Sequence, residues 1–537
     1  MQFPLTLTAI LERAGKLMGH VEIVSRMPDR SLHRYTYADF YRRAKALAEA
    51  LQKLGIRRGD RVGTLMWNHY THLEAYFGIP AAGGVLHTLN LRLHPRDLGY
   101  IVNHAADRFL IVDDVLLPLY EKFRAEVNPE KVIVAPLTGA PVPAGSENYE
   151  TLIGEAKGNF TYPDLEENEA AAMCYTSGTT GNSKGVVYSH RAVVLHSFAS
   201  AMADTMALTQ RDVVLPVVPM FHANAWGIPF TATMMGAKQV FPGPYLDAES
   251  LLELFERERV TFTGGVPTVW LGVLEALEKN PGKWKLTPGM RMPVGGSAPP
   301  ESMIRRLDQQ NLRLLHAYGM TETTPLASMC RLKPFMEDWP EDKKYTVRCL
   351  QGLPSPFVEI RVVNDEGEAP WDGNTLGELQ MRGPWVTASY YNLPEERNKW
   401  TETGWFRTGD VASIDPEGYI KIADRTKDLI KSGGEWISSV DMENALMGHP
   451  NVKEAAVIAV PHPKWQERQL AVVVLKDGVG HCTEDLRAFL EKRFSKWQVP
   501  DEFVFVESIP HTSTGKMLKT ELRQKFSQGG KLESDKP

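Results

Sequence analysis

The chain has 537 residues, 43% of them hydrophobic and 23% charged, and a formal net charge of −6. This length exceeds what one hydrophobic core supports, so at least two domains are expected. A nucleic-acid partner is disfavoured, because phosphate-neutralising surfaces need clustered Lys and Arg, and the sequence has no basic stripe.

The cysteines and the apolar runs bear on the compartment. Cys174, Cys330, Cys349 and Cys482 are scattered without C-x-x-C or metal-ligand spacing, so neither a disulfide framework nor a zinc site is predicted. No run approaches the ~20 apolar residues that span a bilayer. The first 18 residues also lack the continuous apolar core of a signal peptide. We therefore predict a cytoplasmic protein without a transmembrane segment.

In the first half of the chain, amphipathic helices alternate with short buried strands. A helix is predicted over residues 37–54 and a strand over residues 61–66, and this alternation recurs. Ser189 is predicted to cap a helix over residues 191–202, and Asp247 caps a later one. Helices and strands in this order are typical of α/β layers with largely parallel sheets.

From residue 352 the apolar period shortens to two, with turn signals at Asp365-Glu366-Gly367 and Asp372-Gly373. This pattern predicts a small antiparallel β subdomain over residues 350–424. The last hundred residues mix predicted strands and helices, as a small α+β domain does. The predicted fold class is thus α/β, with a large N-terminal domain of layered, largely parallel sheets hinged to a small C-terminal α+β domain. The boundaries are 1–425, 426–431 for the hinge, and 432–537.

The motif that dominates the sequence follows an apolar run at residues 170–175 and reads Thr176-Ser177-Gly178-Thr179-Thr180-Gly181-Asn182-Ser183-Lys184-Gly185. Glycines let backbone N–H groups turn toward one centre, hydroxyls add donors, and Lys184 adds positive charge. The motif therefore predicts a cradle for a nucleoside triphosphate. A surface turn is the alternative. The P-loop of NTPases does not fit, because Ser183 holds its second glycine position and Gly185 follows the lysine.

Other loops follow the ends of predicted strands. They are Val294-Gly295-Gly296-Ser297 and His316-Ala317-Tyr318-Gly319-Met320-Thr321-Glu322. Ligands of open α/β sheets bind beyond the carboxyl ends of strands, so we expect these loops and the cradle to meet in one crevice. Gly264 and Gly265 also end a predicted strand, where paired glycines make a tight turn or leave room for a ligand.

Together these motifs resemble the adenylate-forming superfamily of acyl-CoA synthetases, peptide-synthetase adenylation domains and luciferases. The cradle matches [YF]-T-S-G-[ST]-T-G-x-P-K-G, with Ser183 in place of the usual proline. Residues 318–322 match Y-G-x-T-E, and residues 405–410 match [YW]-x-[RK]-T-G-D. Over almost its full length the chain most resembles medium- and long-chain fatty-acid CoA ligases and methylmercaptopropionate-CoA ligases, chiefly in residues 218–226 and 431–438.

The resemblance implies a small-molecule carboxylic acid as substrate and ATP, Mg²⁺ and coenzyme A as cofactors. ATP would convert the acid into an acyl-adenylate, and the CoA thiol would then displace AMP. Implied catalytic residues are Lys516, Lys431, Glu322, Thr176 and His222, with Thr176 and Glu322 holding Mg²⁺. Implied nucleotide- and CoA-binding residues are Ser177, Gly178, Thr179, Thr180, Gly181, Lys184, Gly295, Gly296, Ser297, His316, Ala317, Tyr318, Gly319, Thr321, Asp410, Arg425, Lys427, Gly433, Gly434, Glu435 and Trp436.

For the acid, the resemblance implies His222, Trp226, Gly264 and Gly265. Trp226, one helical turn beyond His222, is expected to face the same cavity, and the glycines are expected to leave a channel open. A buried core histidine is the alternative for His222. The small domain is expected to swing about Lys427, presenting Lys516 for adenylation and residues 433–436 for thioester formation.

Several alternatives stay open. A peptide-synthetase domain is disfavoured, because no carrier-protein segment follows. A luciferase-like oxygenase would also begin with adenylation. The motifs do not give the acyl chain length, so a short thioether acid such as methylmercaptopropionate competes with a fatty acid. A non-enzymatic AMP-binding protein on the same fold is a further alternative, and a homodimer is left open.

Overall fold

The computed structural model describes residues 2–176, 182–426, 428–432, 435–462, 465–480, 483–512 and 516–526. Within them the strands, β1 to β26 in chain order, are Glu22–Arg26, Leu32–Thr36, Arg61–Leu65, Val85–Thr88, Asp107–Asp113, Lys131–Ala135, Glu147–Asn148, Ala170–Tyr175, Gly185–Ser189, Val213–Pro216, Lys238–Phe241, Phe262–Gly264, Met290–Val294, Leu312–Gly319, Leu326–Met329, Leu353–Pro354, Glu359–Asn364, Gly367–Glu368, Gly377–Arg382, Phe406–Ile414, Ile420–Arg425, Ile430–Ser432, Glu435–Ile437, Val452–His462, Gln466–Leu475 and Glu502–Phe505.

The helices, α1 to α16 in the same order, are Leu7–Leu17, Tyr37–Lys53, Tyr70–Ala81, Pro95–Ala105, Leu117–Tyr120, Tyr149–Gly154, His190–Ala201, Ala223–Trp226, Ile228–Met235, Ala248–Arg257, Pro267–Lys279, Glu301–Gln309, Glu341–Arg348, Ser439–Met447, Thr483–Leu490 and Lys519–Phe526. Short 3-10 turns lie at Asp114–Leu116, Arg124–Glu126, Thr321–Thr323, Pro334–Met336 and Pro394–Lys399.

Two large sheets form the body of the N-terminal domain. One has seven strands in the order β7-β6-β5-β3-β4-β8-β9 and is parallel except at β8 and β9. The other has nine strands in the order β16-β15-β14-β13-β12-β10-β11-β1-β2 and is parallel from β1 to β14. Parallel strands need helical crossovers that cover both faces, which explains why the strands are so apolar. The predicted α/β class is confirmed.

The helix caps explain why the helices begin where they do. The Ser189 hydroxyl accepts the N–H of Ala192 at 3.0 Å, and the Asp247 carboxylate accepts that of Ser250 at 2.9 Å. Each such cap stabilises a helix by about 1 kcal/mol. Both predicted caps are confirmed.

The remaining sheets are smaller. Five antiparallel strands, β18-β17-β19-β20-β21, form one of them, in agreement with the predicted β subdomain. The C-terminal domain holds β23-β22-β25-β24, with β26 added parallel to β25. Its helix α15 ends at Leu490.

A buried polar cluster joins the C-terminal domain to the end of β21. Asp424 accepts the N–H of Ser439 at 3.0 Å and also bonds its hydroxyl. Lys519 contacts the same hydroxyl and pairs with Glu443 at 2.6 Å. Burial raises the pKa of Glu443 to about 7, against the opposing charge of Lys519. In this conformation the cluster therefore links α14 and α16 to the end of β21.

Candidate active site

A cleft lies where strands of both large sheets end. Thr176 after β8, Gly295 after β13 and Tyr318 at the end of β14 line it, together with Lys516 of the C-terminal domain. This is the place where open α/β sheets bind ligands. The predicted loops thus meet in one crevice.

The described part of the phosphate cradle is its two ends. The N–H of Thr176 donates to the carbonyl of Lys184 at 3.0 Å, and the N–H of Lys184 donates to the Thr176 hydroxyl at 3.1 Å. These bonds close the base of the loop and aim both residues at the cleft, which they line. The remaining predicted phosphate ligands, Ser177, Gly178, Thr179, Thr180 and Gly181, lie outside the described residues.

Glu322 stands on the 3-10 turn that follows β14, and it is 6% exposed. The Tyr390 hydroxyl donates to its Oε1 at 2.6 Å, and the Tyr188 hydroxyl donates to the carbonyl of Thr321 at 2.7 Å. Gly319 must be glycine, because a Cβ there would collide with the Pro325 carbonyl. The carboxylate is therefore held at the cleft wall by partners from other elements.

Asp410 lies beside Arg425 in the antiparallel pair β20 and β21. Its Oδ1 is 3.0 Å from Arg425 Nε, and the Tyr318 hydroxyl donates to its Oδ2 at 2.5 Å. The Asp410 charge raises the pKa of Arg425, and burial raises the pKa of Tyr318 well above its ordinary value. Both carboxylate oxygens of Asp410 already have partners. A ribose hydroxyl that donates to Asp410 would therefore share these oxygens with Tyr318 and Arg425.

Lys516 reaches the cleft from the C-terminal domain. Its Cε lies 3.6 Å from where a Cβ on Gly296 would stand, and Gly296 has a φ of +87° that favours glycine. Loss of hydration, together with the like charge of Arg425, lowers the pKa of Lys516 to about 8, against Asp410 and Glu322. The ammonium thus faces the same space as Glu322.

The opposite wall is built on a left-handed turn. Ala223, Asn224, Ala225 and Trp226, which make up α8, have φ values of 41°, 51°, 50° and 57°. The expectation of an ordinary helical turn between His222 and Trp226 is therefore wrong, although both side chains do line the cleft. Non-glycine residues pay roughly 1–2 kcal/mol each in this conformation, so the turn is strained.

Burial changes the charge of His222. Loss of hydration lowers its pKa to about 3, and the nearby cations Lys516 and Arg92 act in the same direction. The imidazole is therefore neutral at physiological pH and can exchange hydrogen bonds with a carboxylic acid without adding charge.

Gly264 and Gly265 make room for indole rings next to the wall that carries His222 and Trp226, here called the acid wall. A Cβ on Gly264 would meet Ile228 at 2.9 Å and Trp226 at 3.6 Å, and one on Gly265 would meet Trp270 at 2.6 Å. Neither glycine is among the described residues that line the cleft. The space beside these glycines, where an open channel was expected, is thus occupied in this structure by Ile228, Trp226 and Trp270, which pack against the glycines.

An adjoining pocket shares Gly296, Ala317, Tyr318 and Lys516 with the cleft. It is also lined by Ser297, His316 and Asp410. His316 Nδ1 lies 2.9 Å from the carbonyl of Cys349, and burial lowers the pKa of His316 to about 4. This histidine is a buried wall residue.

The remaining predicted site residues lie in the hinge and at the start of the C-terminal domain. Lys431 lies in β22, and Glu435 and Trp436 lie in β23, where the structure describes their backbone. Their side chains, and the residues Lys427, Gly433 and Gly434, lie outside what the structure describes. Their roles remain predictions.

The sequence analysis missed several residues of the cleft wall. They are Asn182, Met206, Tyr390, Lys399, Phe406, Arg407 and Thr408. Tyr390 and Lys399 lie in the connection between β19 and β20. Its sequence has no periodic pattern or motif from which their position could be predicted. Arg407 and Thr408 lie inside the matched motif that ends at Asp410, and this proximity was the available signal.

Two features are absent from the part of the chain that the structure describes. In ranges such as 2–176 and 182–426, no group of three or more His, Cys, Asp and Glu side chains is placed to hold a metal ion. None of the helices found there has both the length and the apolar character to cross a bilayer.

Comparison with known proteins adds the family. The model of the AMP-binding enzymes matches residues 11–391, and that of the AMP-binding enzyme C-terminal domain matches residues 441–516. A long-chain-fatty-acid–CoA ligase of Thermus thermophilus is 51% identical over 98% of this chain and 96% of its own length. A 3-methylmercaptopropionyl-CoA ligase of Ruegeria lacuscaerulensis is 43% identical, over 98% of both chains.

A medium-chain-fatty-acid–CoA ligase of Ectopseudomonas oleovorans is also 43% identical, over 98% of this chain and 97% of its own. Among solved structures, ATP-bound MatB from Rhodopseudomonas palustris superposes with a TM-score of 0.81 at 25% identity, covering 98% of this chain and 99% of its own. The anthranilate CoA ligase AuaEII with anthranoyl-AMP gives a TM-score of 0.87 at 24% identity, covering 98% of both chains. This chain belongs to the AMP-binding enzymes, as an AMP-forming acid–CoA ligase.

Proposed function

We propose that the acid is a fatty acid, which the enzyme adenylates with ATP and then transfers to CoA. The observation that supports this is the composition of one cleft, in which Lys184, Glu322 and Lys516 face an apolar wall around Trp226. An apolar wall suits an alkyl chain, and the charged groups suit phosphates. The medium- and long-chain relatives point to the same class of acid.

Activation is needed because a carboxylate is a poor electrophile whose leaving group would be oxide. In the proposed arrangement, Lys184 and the cradle bind the β- and γ-phosphates. Lys516 stabilises the charge that develops at the α-phosphorus, where positioning and fixed charge supply most of the catalysis. The neutral His222 orients the acid without competing for the phosphates.

Mg²⁺ fits the residues present. Carboxylate and hydroxyl oxygens are the hard ligands that this ion prefers, usually one or two from the protein beside substrate phosphates. Glu322 and Thr176 offer such oxygens on one cleft wall. When bound there, the ion would neutralise phosphate charge. The fixed bond from Tyr390 orients Glu322 for this purpose.

We further propose that the chain works as two domains, 1–425 and 432–537, which rotate about Lys427 in the hinge 426–431. The position of Lys516 supports this proposal. This lysine belongs to the C-terminal domain, is assigned to adenylation, and lines the cleft in this structure. Lys431 and residues 433–436 would then serve thioester formation after rotation. A cytoplasmic location, which the scattered cysteines suggest, and a homodimer remain predictions.

A second candidate substrate is a short thioether acid such as 3-methylmercaptopropionate. The filled space beside Gly264 and Gly265 favours it, since a closed channel would accept only a short chain. The relative from Ruegeria lacuscaerulensis carries that acid in its name.

An acid panel tests these proposals. CoA-dependent AMP release would be measured with propionate, methylmercaptopropionate, octanoate and palmitate. We expect the highest kcat/KM with octanoate or palmitate. A maximum at methylmercaptopropionate would replace the first candidate by the second, and no CoA-dependent AMP release with any of these acids would exclude both.

A further inference from the structure

An acidic side chain pairs with Lys184, a lysine that lines the cleft and is proposed to bind phosphates. Glu396 lies on the 3-10 turn Pro394–Lys399, and its Oε1 is 2.5 Å from Lys184 Nζ. Both side chains are only 25% exposed. An ion pair that is mostly shielded from water is weakened less by solvent and salt than one on the open surface. Glu396 is therefore the charge partner of the cradle lysine.

The position of Lys184 is set from a second side as well. Its ammonium lies 5.1 Å from the centre of the Tyr390 ring, and the hydroxyl of that ring holds Glu322. Cations favour such a position over an aromatic face. Lys184 is thus held between a carboxylate and a ring, close to the group proposed to bind Mg²⁺.

A carboxylate oxygen has the same chemistry as a phosphate oxygen toward an ammonium group. Both are anionic acceptors of short, charge-assisted hydrogen bonds. A lysine donates three such bonds, but a phosphate that approaches Lys184 must enter the field of a fixed negative charge next to it. Binding a polyanion therefore means weakening or exchanging the contact with Glu396.

We propose that Glu396 competes with the β- and γ-phosphates of ATP, and with free diphosphate, for Lys184. The proposal rests on the function above, in which Lys184 binds these phosphates. Glu396 then lowers the affinity for both ligands. The same competition speeds diphosphate departure by offering Lys184 a replacement partner.

The neighbouring Glu395 provides a matched control. It carries the same charge one residue away on the same turn, and it is exposed. Replacing either glutamate with Gln removes one negative charge near the phosphates, so a long-range effect of net charge appears in both variants. Only the loss of the contact with Lys184 is specific to Glu396→Gln.

The test measures the Kd of ATP and of inorganic diphosphate for the full-length protein by calorimetry, with Mg²⁺ and without acid. We expect Glu396→Gln to lower both Kd values about fivefold relative to Glu395→Gln. A change of this size matches what a partly exposed ion pair typically contributes. Stopped-flow displacement should show the corresponding decrease in the dissociation rate of diphosphate.

A double-variant cycle assigns the effect to the pair. In a Lys184→Gln background, Glu396→Gln should change the Kd no more than Glu395→Gln does. Equal Kd values for the two single variants, weaker binding by Glu396→Gln, or an effect that persists without Lys184 would each overturn the proposal. Failure of the unaltered protein to bind ATP would instead contradict the proposed function.

Discussion

The two walls of the cleft are held in place by different means. The wall that carries Lys184, Glu322 and Lys516 is here called the nucleotide wall. On it, charged and polar groups from separate elements fix one another, as Tyr390 fixes Glu322 and Arg425 fixes Asp410. On the acid wall, apolar side chains follow a left-handed turn, and Trp226 packs against the vacant Cβ positions of Gly264 and Gly295. The difference suggests that the chemistry depends on paired charges, whereas the choice of acid depends on packing and backbone conformation.

Lys516→Ala should give the largest effect, because it removes the positive charge that the C-terminal domain contributes to the cleft. We expect adenylation to slow on the order of 10³-fold, while supplied acyl-adenylate and CoA still give thioester. The two half-reactions would be assayed separately. Lys525→Ala, at an exposed lysine of the same domain, is the control. An equal decrease in both half-reactions would make Lys516 a structural residue and contradict domain alternation.

Glu322→Gln keeps the shape of the side chain and removes its charge. If this carboxylate holds Mg²⁺, adenylation should slow on the order of 10²-fold. The rate would be measured over a range of Mg²⁺ concentrations, and the apparent Mg²⁺ affinity should also decrease. Near-normal adenylation at saturating Mg²⁺ would show that Glu322 only supports the turn.

The titration of Lys516 predicts a pH dependence. Its pKa is lowered to about 8 in the free chain, and the reaction needs the protonated form, so kcat/KM for adenylation should fall as pH rises through about 8. Bound phosphates favour the cation, so the decrease in kcat should lie at higher pH. In Lys516→Arg the decrease in kcat/KM should disappear, because guanidinium keeps its proton. If the decrease in kcat/KM above about pH 8 is unchanged in Lys516→Arg, another group causes it.

Tyr390→Phe tests whether the nucleotide wall depends on mutual support. The change removes one hydrogen bond to a carboxylate, so adenylation should slow about tenfold. Because Tyr390 acts through Glu322, the decrease should be absent in a Glu322→Gln background. Tyr391→Phe, at the adjacent tyrosine, is the control. If the two changes slow adenylation additively in the double variant, Tyr390 acts independently of Glu322.

Trp226→Ala should have the smallest effect on chemistry and a selective effect on the acid. Removing the indole vacates the space beside Gly264, so the ratio of kcat/KM for palmitate over propionate should rise about tenfold, with an unchanged Kd for ATP. Trp371→Ala, at a largely exposed tryptophan, is the control. An unchanged ratio would make Trp226 a core residue.

The sequence allowed the nucleotide wall to be predicted better than the acid wall. Lys184, Tyr318 and Glu322 lie in motifs whose residue types reflect phosphate chemistry, and all three line the cleft. Tyr390 and Glu396 act through side-chain contacts across long sequence separations, which no local pattern encodes. The turn after His222 escaped prediction because its alanines favour right-handed helix, and tertiary packing overrides that preference.

The left-handed turn also matters to anyone who evolves this enzyme for heat resistance. Glycine tolerates positive φ and adds no atoms to a buried site, so replacing Ala223 or Ala225 with glycine would relieve strain. Selection for thermal tolerance alone should therefore enrich such changes. Strain at a functional site often determines which substrates the site accepts. The resulting variants would therefore be more stable to heat and would show altered acid specificity, with unchanged binding of ATP.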